Sequence, residues 1–329
     1  MAAAPEQGEA TPLVFFYDDL FLQHQSSGHL ESPERLRAIT ARLQAEPRLG
    51  ECRWETASPA TEDDILLVHS RRHLQRIQRF SAKGGGWIDS DTYCGRDSYQ
   101  VALGAVGAAL RAVEVATTSP KATAFALVRP PGHHATPEQA MGFCLFNNAA
   151  IAVRHAQRRL GLERIAVVDL DVHHGNGTQD TFYEDGDVLY CSLHQLPLYP
   201  GTGEAAERGA GPGVGANLNL PLPPGTGSEA WVDALRNEMA PALRRHRPEL
   251  ILVSAGYDAL AADPLAQLMI DPEAYGAAAH LLRELAVELG AAPTVWLLEG
   301  GYDLQQMPEA VCQSALALLG AADAQAWFT

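Results

Sequence analysis

With 329 residues, 47% of them hydrophobic and 19% charged, the chain has a globular composition, which excludes a disordered, collagen-like or coiled-coil polypeptide. A chain of this length buries roughly three quarters of its unfolded surface and needs no disulfide staples. Its 24 Lys and Arg against 40 Asp and Glu leave a formal net charge of −16, which excludes a general nucleic-acid or anionic-membrane binder, because phosphate contacts need clustered cations.

Residues 1–12, MAAAPEQGEATP, read as a flexible tail; they carry no basic n-region and no apolar h-region, so no secretory signal is expected. Residues 13–329 read as one domain, with no internal repeat and no long linker. Strand-like runs are Leu13–Tyr17, Ala122–Val128, Arg164–Leu170, Val188–Leu193, Leu250–Ser254 and Thr294–Leu298. Most are continuously apolar, which suits strands buried on both faces of a parallel sheet. Helical patterns lie between them: Pro33–Ala45, Ser98–Thr117, Asn147–Leu160, Ser228–Arg245, Pro272–Leu289 and Pro308–Leu319. Ser32-Pro33-Glu34 reads as an N-cap followed by Pro at N1. Alternating strands and helices predict an α/β fold, a mostly parallel central sheet flanked by helices. Gly201–Pro224 reads as a long irregular loop, a candidate site rim. The most apolar stretch, Val101–Thr118, is interrupted by Arg111 and Glu114, so no membrane span is expected. Five cysteines with no Cys-x-x-Cys pair predict reduced thiols and a cytoplasmic location.

Polar residues cluster where the apolar runs end, which is where open α/β sheets place their sites. After Val128 comes Arg129-Pro-Pro-Gly-His133-His134-Ala, with two adjacent histidines suited to acid and base roles or to loop polarity. After Val168 comes Asp169-Leu-Asp171-Val-His173-His174-Gly-Asn176. In an extended segment Asp169, Asp171 and His173 share one side, so Asp171 and His173 can offer two metal ligands from one strand end. Val253-Ser-Ala-Gly-Tyr-Asp258 offers a third carboxylate, or a helix N-cap. Two aspartates and one histidine leave an open position suited to catalytic Zn²⁺, with Fe²⁺ or Co²⁺ also compatible with the oxygen-rich set. Leu298-Glu299-Gly300-Gly301-Tyr302 ends a fourth run, and its glycines allow the turn that presents Tyr302 as an oxyanion donor or a packing residue.

These strings, RPPGHHA, GFCLFNNAAIA, VVDLDVHHGNGTQ, YPGTG, SAGYDA and LEGGYDL, occur in order across residues 13 to about 320. The chain resembles the zinc-dependent histone deacetylase and acetylpolyamine amidohydrolase family, on its class II-like side. The resemblance implies the arginase/deacetylase-like three-layer fold. It implies zinc on Asp171, His173 and Asp258, tandem histidines His133 and His134, and a transition-state tyrosine at Tyr302. It implies partners for those histidines at Asp169 and Asn176; asparagine there is class II-like and leaves His134 less basic. Phe143 and Tyr199 match the walls of an acyl-lysine tunnel, with Gly142 and Gly301 as substrate-contacting neighbours; Tyr199 stands where phenylalanine is more usual. An inner structural potassium is implied at Ser192 and the carbonyls of Asp169, Asp171, His173 and Leu193, and an outer one at Phe182, Asp185 and Val188. Arg35 aligns with an arginine lining an inner channel.

The implied activity is metal-assisted hydrolysis of an acyl-lysine amide in a peptide or protein. In polyamine-selective members an acidic residue follows the Asp-Pro after the third ligand; here Asp263-Pro264 is followed by Leu265, which favours acyl-lysine over acetylpolyamine or another small N-acyl amine. Asp91 is the candidate rim aspartate for a peptide backbone. A manganese ureohydrolase would need an additional Asp-x-Asp, and a catalytically silent acyl-lysine binding module would have lost a ligand, a histidine or Tyr302. His69 and His73, spaced for one helix face, read as second-layer or surface histidines rather than a metal site, and the RRHR run at 244–247 as a solvated helix end. A monomer or small homo-oligomer is expected.

Overall fold

Strands made almost wholly of apolar residues have no face to give to water, and here they are covered on both. In the computed structural model, which describes residues 13–320 except 26, 119–121 and 292–293, Leu13–Phe16, Thr123–Ala126, Ile165–Asp169, Leu250–Ala255 and Val295–Leu298 are buried at every position. The expected tail at 1–12 lies outside the described residues, as do 321–329.

In chain order the elements are β1 (Leu13–Phe16), α1 (Pro33–Gln44), β2 (Arg53–Glu55), α2 (Glu62–Ile65), α3 (Arg71–Ala82), β3 (Gly85–Trp87), β4 (Tyr93–Gly95), α4 (Ser98–Thr118), β5 (Thr123–Ala126), α5 (Asn148–Leu160), β6 (Ile165–Asp169), α6 (Asn176–Phe182), β7 (Val188–Gln195), β8 (Asn217–Leu222), α7 (Ser228–Ala234), α8 (Ala240–His246), β9 (Leu250–Ala255), α9 (Pro272–Leu289), β10 (Val295–Leu298) and α10 (Gln306–Leu318). Among the described residues, eight strands form one parallel sheet in the order β2-β1-β5-β10-β9-β6-β7-β8, and β3 and β4 form a separate antiparallel hairpin. Helices flank the sheet, with α9 packed on α10 and α10 on α1, and with α4 packed on α5. This is the expected α/β architecture. α4 is long and apolar enough to cross a membrane, but 78% of its most apolar window is buried inside the protein.

Three departures have physical causes. The stretch expected to be irregular to Pro224 contains β8, an edge strand whose Asn-Leu-Asn-Leu alternation is period two but less apolar than the other strands. The helix expected over Ser228–Arg245 is broken by a π-type turn at Leu235–Met239, just ahead of Pro241, whose ring cannot accept a regular preceding turn. The short β2 and the β3–β4 hairpin were not expected, because Arg53–Glu55 and the glycine-rich 85–95 carry little strand signal.

Candidate active site

The four motifs leave the carboxyl ends of β5, β10, β9 and β6, which are consecutive neighbours in the sheet. Parallel strands therefore deliver His133, His134, Tyr302, Asp258, Asp171 and His173 to one place.

Asp171, His173 and Asp258 are buried, and their ligand atoms lie within 4.8 Å of one another. His173 Nδ1 is 3.1 Å from Asp171 Oδ1 and 3.2 Å from Asp258 Oδ2. Backbone groups hold the other oxygens: Gly300 N–H donates to Asp171 Oδ2 and Val172 N–H to Asp258 Oδ1, each at 2.8 Å. Two buried carboxylates demand a positive partner. Burial by itself lowers the His173 pKa, yet its bonds to Asp171 and Asp258 raise it to about 10. One nitrogen and two carboxylates, all pre-aimed, fit a small divalent cation with one position left open.

The tandem histidines are separated electrostatically. His133 Nδ1 bonds Asp169 Oδ2 at 3.1 Å. Burial lowers the His133 pKa, but the charges of Asp171 and Asp169 prevail and hold it well above the ordinary value. His134 Nδ1 bonds Asn176 Oδ1 at 2.9 Å, and burial, then the nearby His133 and His173, push its pKa well below the ordinary value. The two rings stand 4.0 Å apart by centroid, one disposed to carry a proton and the other to lack one. Burial also raises the Tyr302 phenol well above its usual pKa, so it keeps its proton.

A cavity of about 280 Å³ opens above these groups, lined by Asp91, Pro131, His133, His134, Gly142, Phe143, Asp171, His173, Leu198, Tyr199, Leu265, Gly300 and Tyr302. Phe143 meets Tyr302 edge-on at 5.7 Å, and Tyr199 meets His134 at 5.1 Å. Gly142 stands at φ +56°, and a Cβ there would come within 2.4 Å of the His134 ring, so the wall approaches His134 this closely because the residue is glycine. The next residue, Phe143, holds φ +68°, a strained value for an aromatic. Among the sequence-derived substrate residues, Gly301 is not a lining residue. It turns the chain at φ +114°, and its carbonyl accepts Arg35 Nε at 2.5 Å. Arg35 also donates to the Glu299 carbonyl at 2.6 Å and lies 4.8 Å over the Tyr302 ring.

The groups expected at the potassium sites lie beside β7. Ser192 Oγ is buried and 2.8 Å from His194 Nδ1. At the outer position the Phe182 carbonyl accepts the Asp185 N–H, Asp185 pairs with Arg154 at 2.5 Å, and the Arg154 guanidinium covers the Phe182 ring at 4.6 Å; Val188 begins β7.

His69 and His73 do not share a helix: Ser70 caps α3, so His69 precedes it. Both are buried, at 4.9 Å ring separation, and they bind the site loop: His69 accepts the Asn147 N–H at 2.8 Å, and His73 Nε2 is 2.8 Å from the Leu145 carbonyl. They are second-layer histidines rather than surface ones. Arg244, in the run 244–247, pairs with Glu288 at the exposed end of α8.

Three buried acids went unread in the sequence. Glu31 sits between Arg129 and Arg35, its Oε2 2.7 Å from Arg129 Nη2 and its Oε1 3.2 Å from Arg35 Nη1. Glu299 Oε2 accepts the N–H groups of Gly132 and His133, at 2.6 and 3.2 Å, fastening the tandem-histidine loop to the end of β10. Asp263 accepts the Tyr302 N–H at 2.7 Å. Only Glu31 and Arg35 stand at a local i,i+4 spacing; the other pairings join residues up to 167 positions apart, where no sequence pattern signals them.

A family model described as the histone deacetylase domain matches residues 29–318. The chain is 39% identical over 314 residues to a histone deacetylase-like amidohydrolase of Pseudomonas aeruginosa, covering 90% of this chain and 83% of that one. It is 41% identical over 318 residues to a probable deacetylase of Methanothermobacter thermautotrophicus, covering 95% and 91%. The crystal structure of the HDA15 HD domain superposes with a TM-score of 0.88 at 35% identity, covering 95% of this chain and 89% of that one. Parallel strands, converging motifs and kinship across nearly the whole length agree that the chain belongs to the histone deacetylase family of amidohydrolases.

Proposed function

We propose that the protein is a zinc-dependent deacylase that removes acetyl or another acyl group from the ε-amine of lysine in peptides and proteins. The observation that carries the reading is the meeting of Asp171, His173, Asp258, His133, His134 and Tyr302 beside one narrow cavity. Zinc on the two aspartates and His173 would acidify a water and polarise the acyl carbonyl.

The chain's own side chains account for the rest. His134 donates Nδ1–H to Asn176 and so presents a bare Nε2, which takes a proton from the attacking water as general base. His133, held protonated by Asp169 and Asp171, gives its proton to the departing amine. The Tyr302 phenol donates a hydrogen bond to the carbonyl oxygen as negative charge develops there. Phe143 and Tyr199 flank the lysine stem, whose burial contributes about 0.8 kcal/mol per methylene. Leu265 at the lining offers no charge to a polyamine's second ammonium, which supports acyl-lysine over acetylpolyamine. A structural potassium at Ser192 and the carbonyls of Asp169, Asp171, His173 and Leu193 belongs to the reading, and no catalytic step uses it. All five cysteines are free, in keeping with a cytoplasmic protein.

The test is parallel turnover of acetyl-lysine peptides, longer acyl-lysine peptides and acetylated polyamines by the zinc-loaded protein. Peptide turnover that exceeds polyamine turnover supports the reading. Preference for the polyamine overturns the substrate assignment.

A further inference from the structure

Tyr302 lies four residues beyond the last residue of β10, where the sheet no longer fixes the backbone. Leu265 lies on the loop between β9 and α9, and it too lines the cavity. The two belong to separate segments, and one side chain joins them. Asp263, only 5% exposed, accepts the Tyr302 N–H on Oδ2 at 2.7 Å and the Leu265 N–H on Oδ1 at 2.9 Å. Its own N–H donates to the Leu260 carbonyl at 2.9 Å. Main-chain bonds also close the base of that loop: Ala261 N–H donates to the Ile270 carbonyl at 3.0 Å and Ile270 N–H to the Ala259 carbonyl at 3.3 Å. Asp263 therefore stands on a braced platform, with both carboxylate oxygens committed to the backbone of cavity-lining residues. It is not itself a lining residue.

We propose that Asp263 is a positioning residue that sets the oxyanion donor Tyr302 and the tunnel residue Leu265 in one fixed relation. Two backbone N–H groups donating to one buried carboxyl, at 2.7 and 2.9 Å, are directional bonds, so Asp263 defines where the Tyr302 main chain sits. A displacement of about 1 Å of a catalytic group can cost on the order of 10²-fold in rate. The loop after β9 carries both the metal ligand Asp258 and Leu265, so Asp263 ties the Tyr302 hydroxyl to the frame that holds the scissile carbonyl.

The inference rests on the amidohydrolase reading, and a double-mutant cycle separates the two. Asp263→Ala, Tyr302→Phe and the double variant are compared on an acetyl-lysine peptide, with zinc content and melting temperature measured for each. The expected result is that Asp263→Ala keeps its zinc and loses roughly 10–100-fold in kcat. The double variant should be no slower than Tyr302→Phe, because Asp263 acts through Tyr302. Asp263→Asn, which keeps one acceptor oxygen, should fall between wild type and Asp263→Ala. It carries the same cycle if the alanine variant does not fold. Wild-type kcat in a folded Asp263 variant, or losses that multiply in the double variant, would overturn the proposal. An unchanged rate in Tyr302→Phe would instead overturn Tyr302's assigned role.

Discussion

In the proposed mechanism the Tyr302 phenol, kept protonated by burial, serves as a hydrogen-bond donor, so its removal isolates one contribution. Tyr302→Phe is expected to keep the metal and lose roughly 10²–10³-fold in kcat, the usual cost of one oxyanion donor. Steady-state kinetics beside metal analysis checks this. His134 offers a second test, through Asn176. A base must be deprotonated, so activity falls as pH drops through its pKa. Asn176→Asp puts a negative charge about one hydrogen bond from His134 and raises that pKa. The acidic limb of the kcat/KM profile should therefore move to higher pH; a limb that stays in place would remove His134 as the base. At this scale the sequence was highly informative: the residues converging here sit in contiguous strings at strand ends. Arg129 stood inside such a string, yet its buried ion pair with Glu31 was invisible, because the partner lies 98 positions away.

Among the elements, α1 and the loop before it are tied to the strand ends through Glu31. Burial would raise the Glu31 pKa, but Arg129 and then its other cationic neighbours bring it down to about 2. Glu31→Gln leaves two buried guanidiniums without their shared anion and should cost about 3–5 kcal/mol, read as a lowered denaturation midpoint. Another interior network holds the loop between β7 and β8, on which Tyr199 also lies. Gln179 Oε1 accepts from Asn217 at 2.9 Å and Asn219 at 2.8 Å, and its Nε2 donates to Glu207 at 2.6 Å on the loop between β7 and β8. Gln179→Leu removes the acceptor shared by Asn217, Asn219 and His174, should cost about 1–3 kcal/mol, and should raise KM for acyl-lysine peptide more than it lowers kcat. The strands buried on both faces were legible as apolar runs. β8 was not, since its inward Asn217 and Asn219 serve this network rather than a hydrophobic core.

Taken whole, the molecule buries several histidines in neutral form. Burial lowers His24 and His174 to about 4 and His69 and His194 to about 3, from an ordinary value of 6.5. For a histidine whose folded pKa is depressed, the unfolded chain binds the proton first. Its stabilising effect is complete above pH 6.5 and is lost as pH falls toward the folded value. At pH 5 each of the four should cost about 2 kcal/mol. Glu299 and Asp263, whose carboxyls burial raises to about 7, bind protons first in the folded chain and oppose this loss. Removing one histidine, as in His24→Gln, should therefore make the melting temperature less sensitive to acid between pH 6.5 and 4, and an unchanged profile would contradict this reading. The strand order β5-β10-β9-β6, which places the four motif-bearing ends side by side, could not be read from the sequence, because adjacency in a parallel sheet depends on crossovers rather than local pattern.

In the proposed function Asp171, His173 and Asp258 hold one zinc that the surrounding side chains put to use on an acyl-lysine amide. Metal content and turnover of an acetyl-lysine peptide, measured together on wild type and Asp171→Ala before and after chelation, test it most directly. Expected are about one zinc per wild-type chain, activity lost on chelation and restored by zinc, and neither metal nor activity in Asp171→Ala. Two manganese ions per chain, or peptide turnover undiminished in Asp171→Ala, would contradict it.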